Sequence, residues 1–523
     1  MLEGANFVTD LVHLHLDPGD RRSPVPAGAR LQDVLFDQGA EFPCGGAGDC
    51  GKCSVLVVEG RLDPTDDDYA VLGKQAVATG WRLACRARLF HDVRLRLSQW
   101  DAPVLGSDAP IDIVPRPGWG IAVDLGTTTI AAQLIDLSTG TILGVETATN
   151  PQVAFGADVM TRIHAALSEE GARTQTKVIR DCLGDLAGSL VGAAQRGNGL
   201  PEHPLNVVVV ANTVMHHLLA GYDIAGLAVS PFMPTQLDET VLDASEWGWL
   251  LPRACEVRIL PCLGGFVGSD LLAGIMASGL DQGSGVRVLV DLGTNGEIVV
   301  TDGQRMLCTA TAAGPAFEGA RIRMGMRAAT GAIDRVWLAN GKEPRLCCHV
   351  IGGESSRGVC GSGLVDAAAC ALDAGLLYSS GRLAKNAEWL SLTNEVALHQ
   401  CDIRELQLAK GAIAAGVEIL LRQIHAKPDD VETAYLCGAF GNYLNVAHAR
   451  RIGLLPVAES SVRTLGNSAL HGAKIALLAG RQADLRIDEI RQRAEVVNLH
   501  NAPEFMDCYV RHMSFSPVGA SQT

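Results

Sequence analysis

Four cysteines carry the first recognisable chemistry. Cys44, Cys50 and Cys53 lie in a glycine-rich run from Pro43, at C-x5-C-x2-C spacing, and Cys85 follows a strand-like stretch, inside Arg82-Leu83-Ala84-Cys85-Arg86. Three thiolates in one loop plus a distant fourth is how a [2Fe–2S] cluster receives its ligands. The glycines serve the same end. A loop wrapped round a cluster needs positive φ at several residues, and its N–H groups must approach the sulfides closely. Zinc is the competing reading, but zinc loops favour paired C-x2-C units, and only Cys50 and Cys53 form one. We therefore read all four as cluster ligands.

A second group of residues suits phosphate. Asp124-Leu-Gly126-Thr127-Thr128 joins two strand-like runs, and a near copy, Asp291-Leu-Gly293-Thr294-Asn295-Gly296-Glu297, recurs later. The amides and hydroxyls of such turns can hold phosphate oxygens, while Asp124 and Asp291, ending their strands, can place Mg²⁺ through its waters. No Gly-Lys-Ser/Thr follows, so this is not a Walker loop. One such hairpin is an ordinary β-turn; two suggest a duplicated fold around a single cleft. Glu297, just past the second turn, is a candidate for activating water, unless it faces outward on its strand. Gly438 and Gly441 follow a short strand from Ala434, and would let the backbone pass beneath a flat adenosine.

These residues need elements to hold them. Val12–Leu16 and Ser54–Val58 predict strands, and Leu31–Gln38 a short helix leading into the cysteine loop. Ser98 to Gly118 contains Pro103, Pro110, Pro115 and Pro117, the composition of an extended, semi-rigid linker. The expected division is 1–97, linker 98–118, lobes 119–285 and 286–500, and a tail 501–523. A chain of 523 residues is expected to fold as two to four domains. With a net charge of −15 and no long basic run, nucleic acid and anionic membranes are poor partners. No stretch is long and apolar enough to span a bilayer. The N-terminus lacks a basic n-region and an apolar h-region, so a cytoplasmic location is expected. There the remaining cysteines of the 15 are core thiols. His216-His217 in a predicted helix point apart and suit a core. Cys347-Cys348 reads as strand core. Met324 and Met326 beside Arg321, Arg323 and Arg327 are a candidate partner-facing surface.

The cysteine loop resembles [2Fe–2S] ferredoxins, closer to the adrenodoxin type than to the plant type, whose first gap is four residues. That resemblance implies a β-grasp fold. The two hairpins with Gly438 and Gly441 are similar to the actin, sugar-kinase and Hsp70 ATPase superfamily, which implies a two-lobed, duplicated, ribonuclease H-like α/β domain in an α+β multidomain chain. Gly361 and Gly363, in Gly358-Val-Cys-Gly361-Ser-Gly363-Leu-Val-Asp366, resemble the hinge helix between the lobes of that superfamily, beside its nucleotide. The union of the two modules resembles the reductive activators of corrinoid-dependent methyltransferases. Phrases at Asn150–Gln152, Phe155–Ile163, Ala211–Leu218, Pro261–Asp270, Ala313–Ala320, Met324–Arg327 and Arg451–Pro456, with Asn467 and Gly472–Lys474, carry the likeness. Longer relatives are expected to carry an extra middle segment, which Asp124, directly after the linker, leaves no room for.

The resemblance implies ATP-dependent delivery of one electron from the [2Fe–2S] cluster, converting Co(II) corrinoid to Co(I), with Mg²⁺ at the nucleotide. The implied partners are a corrinoid protein of a methyltransferase, O-demethylase or methionine synthase system and an upstream low-potential reductant. Two other classes stay open on the residues alone. One is a small-molecule kinase with a regulatory cluster; the second is a non-enzymatic electron carrier with an ATPase-like docking scaffold.

Overall fold

Apolar alternation along Leu11–Asp17 buries Val12, Leu14 and Leu16 and leaves the histidines between them half-exposed, the period of a strand with one covered face. In the computed structural model this strand, β1, heads a five-stranded sheet. The model describes residues 11–17, 21–36, 40, 48, 51, 53–97, 113–156, 158–198, 202–293, 295–319, 321–339, 345–353, 355–438, 441 and 444–515. β1 pairs antiparallel with β2 (Arg21–Pro26) and parallel with the last strand of the sheet; between lie β3 (Ser54–Gly60), β4 (Trp81–Leu83) and β5 (Val93–Leu97), in the order β2-β1-β5-β3-β4. The short helix Leu31–Phe36 buries Leu31 and Leu35 in the same core as Leu14, Leu83 and Leu95. This is the expected β-grasp.

The next sheet contains β6 (Trp119–Leu125), β7 (Thr129–Asp136), β8 (Ile142–Thr149), β9 (Leu205–Ala211), β10 (Thr240–Asp243) and β11 (Cys255–Ile259), in the order β8-β7-β6-β9-β11-β10. β6 and β9 run parallel; β9 is almost continuously apolar, as a strand covered on both faces must be. Helices α1 (Thr213–Ala220) and α2 (Ser269–Ser278) follow β9 and β11.

The pattern then repeats. β12 (Val286–Leu292), β13 (Gly296–Thr301), β14 (Met306–Thr311), β15 (Val431–Cys437), β16 (Val462–Gly466) and β17 (Ala494–Val496) form a sheet ordered β16-β15-β12-β13-β14-β17. In both sheets an antiparallel three-strand meander is extended by a parallel strand next to its first member, so the lobes are duplicates. Among the helices of lobe II are α3 (Gly361–Asp373), α4 (Gln400–Gln423) and α5 (Ser468–Ala479).

The lobes meet along α2 and α5. α5 packs on β6 and β9 of lobe I, and α2 reaches β12 of lobe II. Gly472 makes the close crossing possible: a Cβ there would lie 2.2 Å from the carbonyl oxygen of Ala273. The expectation for Gly361 and Gly363 is corrected here. They open α3, which packs inside lobe II on the strand Ala332–Leu338. A Cβ on Gly363 would meet the Ile333 carbonyl at 2.2 Å. Their smallness serves that packing, and the contact between lobes falls to α2 and α5.

Residues 98–112 of the linker lie outside the described residues. Its end is tied down: Val114 N donates to Leu478 O, and Arg116 Nη2 to Leu477 O at 2.6 Å. The cluster module touches lobe II, where Thr330 Oγ1 donates to Asp33 Oδ1 at 2.8 Å. The tail packs as part of lobe II. Helix Phe505–His512 lies along α4, with Arg511 and His512 on Glu418, and Lys410 Nζ donates to Ser514 O.

His216 and His217 are buried core residues: His217 Nδ1 sits 2.8 Å from Thr213 O, and His216 Nε2 is 3.3 Å from Thr240 Oγ1. Cys347 and Cys348 stand in the strand Leu346–Val350 opposite Trp337 and Val336. Met324 is turned inward, its sulfur accepting from Ala397 N, whereas Arg321, Arg323 and Arg327 are exposed.

Candidate nucleotide and cluster sites

The first turn is tight. Gly126 N donates to Thr129 O at 3.1 Å, and a Cβ on Gly126 would lie 2.5 Å from that oxygen. Two asparagines brace it from behind. Asn150 N donates to Thr128 O and its Nδ2 to Gly126 O, both at 2.9 Å; Asn212 Nδ2 donates to Thr127 Oγ1 at 3.0 Å. Thr128 Oγ1 donates across the cleft to Glu318 Oε2 of lobe II at 3.3 Å. In the second turn Gly293 N donates to Asn295 O at 3.1 Å, and Gly296 begins the return strand; Thr294 lies outside the described residues.

Four carboxyls share the space between these turns. Asp124 and Asp291 each stand one residue before the end of their strands, β6 and β12, and Asp291 lies directly opposite Glu297 on β13. Opposite residues of an antiparallel pair project to the same face, so Glu297 points with Asp291 rather than outward. Asp270 joins them from the first turn of α2. Burial raises Asp124 to about 6, against the pull of Asn467 Nδ2, which donates to it at 2.8 Å. Burial and then the charge on Asp124 raise Asp270 to about 7. Burial and then the charges on Asp270 and Asp124 raise Asp291 to about 7. Glu297 is held well above its ordinary value by burial and by Asp270 and Asp291. Carboxyls that penalise one another in this way favour a hard divalent cation nearby, whose charge removes the repulsion; no three of them bring their oxygens within 4.8 Å of one another, so the set fits Mg²⁺ held through its waters rather than by direct ligation.

Gly438 lies against this group. Its φ is +88°, and a Cβ would sit 2.8 Å from Asp291 Oδ1 and 2.9 Å from Leu292 O. Gly441 N donates to Gly438 O at 3.0 Å, closing the turn. Asp270, Asn212, Asn467 and Glu318 fall in the phrases that carry the family likeness, but sequence reasoning assigned none of them a role at this site. The asparagines are N-caps, with Met215 N donating to Asn212 Oδ1 and Leu470 N to Asn467 Oδ1. A cap is legible in sequence, but not that its spare amide reaches a cleft. For Asp270 the available signal was Gly268-Ser269-Asp270 opening an apolar helix.

At the other end of the chain, Cys53 and Cys85 are both buried, and Ala84 N donates to Cys53 O at 3.0 Å, so the two thiols belong to adjoining backbone. Gly48 and Gly51 have φ of +78° and +69°, the backbone expected of a loop wrapping a cluster. A Cβ on Gly48 would collide with the Arg86 guanidinium. Cys44 and Cys50 lie outside the described residues. What is described fits four-thiolate ligation.

Comparison with known proteins agrees with this geometry. The 2Fe-2S iron-sulfur cluster binding domain matches residues 14–89, the RACo middle region 119–283, and the C-terminal ASKHA domain of RACo 285–522. The corrinoid activation enzyme RamQ of Eubacterium limosum is 32% identical over 444 residues, covering 79% of this chain and 74% of its own. A [Co(II) methylated amine-specific corrinoid protein] reductase of Methanosarcina barkeri is 27% identical, covering 77% and 78%. The solved structure of a reductive activator for corrinoid, iron-sulfur protein aligns at TM-score 0.68 and 26% identity, over 96% of this chain and 98% of that one. This corrects the expectation of an absent middle segment: the middle region is present as lobe I. On these relationships and this domain content, the chain belongs to the reductive activators of corrinoid proteins.

Proposed function

We propose that this protein is an ATP-dependent activase that returns the Co(II) form of a corrinoid protein to Co(I), drawing one electron from its [2Fe–2S] cluster. The observation that carries the nucleotide half is the convergence of Asp124, Asp270, Asp291 and Glu297 between two phosphate-type turns. The cluster, held by Cys44, Cys50, Cys53 and Cys85, supplies single-electron transfer. Mg²⁺ among the carboxyls supplies neutralisation of phosphate charge. Gly126, Thr127 and Thr128 hold phosphate from lobe I, and Gly293, Thr294, Asn295 and Gly296 from lobe II, with Gly438 and Gly441 beneath adenosine. Glu297 is the preferred water-activating base, because it stands directly opposite Asp291 and projects to the same face of the sheet.

The energetics explain why a nucleotide domain is fused to an electron carrier. Plant-type clusters lie near about −400 mV, and each ~59 mV of mismatch in a one-electron step costs a factor of ten. Closure of the lobes on ATP would favour a partner complex whose corrinoid accepts the electron more readily, and hydrolysis would release it. The partner is a corrinoid protein of a methyltransferase, O-demethylase or methionine synthase system, and a low-potential reductase feeds the cluster. No described helix is long and apolar enough to cross a membrane. Buried thiols without disulfides at Cys255, Cys262 and Cys308 favour the reducing cytoplasm.

The test mixes the purified protein with a Co(II) corrinoid protein and a reductant, and follows the Co(I) absorption band. Growth of the band on adding Mg-ATP is expected. Equal reduction with and without nucleotide would overturn the coupling, and phosphorylation of an added metabolite would favour a kinase.

A further inference from the structure

Of the two neighbouring threonines in the first turn, only one has its hydroxyl proton committed. Thr128 Oγ1 donates to Glu318 Oε2. Thr127 is almost completely buried, accepts a hydrogen bond from Asn212 Nδ2 at 3.0 Å, and has no acceptor for its own proton among the described residues. The direction of that bond is fixed by the fold. Asn212 caps α1, and its Oδ1 accepts from Met215 N at 3.0 Å. A backbone N–H can only donate, so the oxygen of the amide must face Met215 and the NH₂ must face Thr127. Thr127 Oγ1 is thereby occupied as an acceptor, and its hydrogen is left for an acceptor brought by a ligand.

We propose that Asn212 is a positioning residue that makes Thr127 a hydrogen-bond donor to a phosphate oxygen of the bound nucleotide. The inference rests on the nucleotide reading above and adds a mechanism to it. The helix cap sets the amide, the amide sets the hydroxyl, and the hydroxyl selects an anionic acceptor. Asn212 itself touches no ligand. The register of β6 against β9, with Asp124 opposite Val210 and Leu125 opposite Ala211, brings the cap of α1 to the height of the turn. A shift of either strand by one residue would uncouple them.

The test is a double-mutant cycle on the full chain, with Mg-ATP binding read by calorimetry. Asn212→Ser keeps a capping side chain and removes the amide donor. Thr127→Val removes the hydroxyl. Each single change is expected to weaken Mg-ATP binding by about tenfold, the scale of one hydrogen bond to a charged oxygen. Because Asn212 acts through Thr127, the double variant should bind no more weakly than Thr127→Val alone. Asn212→Asp also retains the cap but presents an acceptor to Thr127, reversing the bond, and should weaken binding more than Asn212→Ser. Thermal unfolding without nucleotide checks that the variants fold. Additive losses in the double variant would overturn the coupling between the two residues and leave the nucleotide site standing. Undiminished binding by Thr127→Val would do the same. A wild-type protein that binds no Mg-ATP would instead remove the nucleotide reading, and the proposal with it.

Discussion

Replacing Asp291 by asparagine should stabilise the nucleotide-free protein while abolishing its ATP turnover. Asp291 has no hydrogen-bond donor among the described residues, and burial with the charges of Asp270 and Asp124 raises it from 3.8 to about 7. The sign follows from linkage. Below about pH 4 the carboxyl is protonated in both folded and unfolded chains and contributes nothing to the difference. Between pH 4 and 7 the unfolded chain releases the proton and the folded chain keeps it, so stability falls as pH rises; above 7 the loss is complete. At ~1.36 kcal/mol per pH unit the full loss is about 4 kcal/mol. Asp291 is itself partly exposed to solvent, which screens the charge, so roughly half of this, about 2 kcal/mol, is the working figure. Asn keeps the shape and never ionises. Urea unfolding without Mg²⁺ or nucleotide, from pH 4 to pH 8, should show Asp291→Asn more stable by about that amount at pH 8. The gain should shrink to nothing near pH 4. ATPase activity should fall at least a hundredfold throughout, with the cluster spectrum unchanged. A variant that is no more stable than wild type at pH 8 would refute the picture of a strained carboxyl group awaiting a cation. Retained turnover would refute its role at the nucleotide.

Three further outcomes are expected. Cys85→Ser should lose the visible absorption of the cluster and both irons, measured by iron content; an unchanged spectrum would remove Cys85 from the ligand set. Gly438→Ala forces a side chain into φ +88° and against Asp291, a strain of about 1–3 kcal/mol, so calorimetry should show weaker Mg-ATP binding. Cutting the chain between Leu105 and Asp108 should leave cluster and ATPase intact but cut corrinoid activation steeply at micromolar protein. The tether's effective concentration, of order millimolar, is lost. Added excess of the N-terminal piece should restore part of it. Undiminished activation by the cut pieces would mean that the tether is unnecessary.

What the sequence determined by itself is local in origin. Metal ligation admits few residue types, so the spacing of Cys44, Cys50, Cys53 and Cys85 pointed to a cluster, although two of the four lie outside the described residues. The turns at Gly126 and Gly293 were legible because strand, turn and return strand are contiguous, and their repetition implied the duplication seen in the two sheet orders. The direction of Glu297 was left open, because a strand's periodicity does not say which face is covered; its pairing opposite Asp291 decided it. Gly361 and Gly363 were misplaced because a glycine in a helix marks close packing without naming its neighbour, which here is Ile333. Asp270, Asn212 and Asn467 stand at the starts of three helices far apart in the chain. The sequence assigned none of them a role in the site. Only the crossing of α2 and α5, with Gly472 against Ala273, and the parallel register of β6 and β9 bring them to one cleft. Long-range packing, carried by side chains whose local pattern signals only burial, made those three residues part of a site.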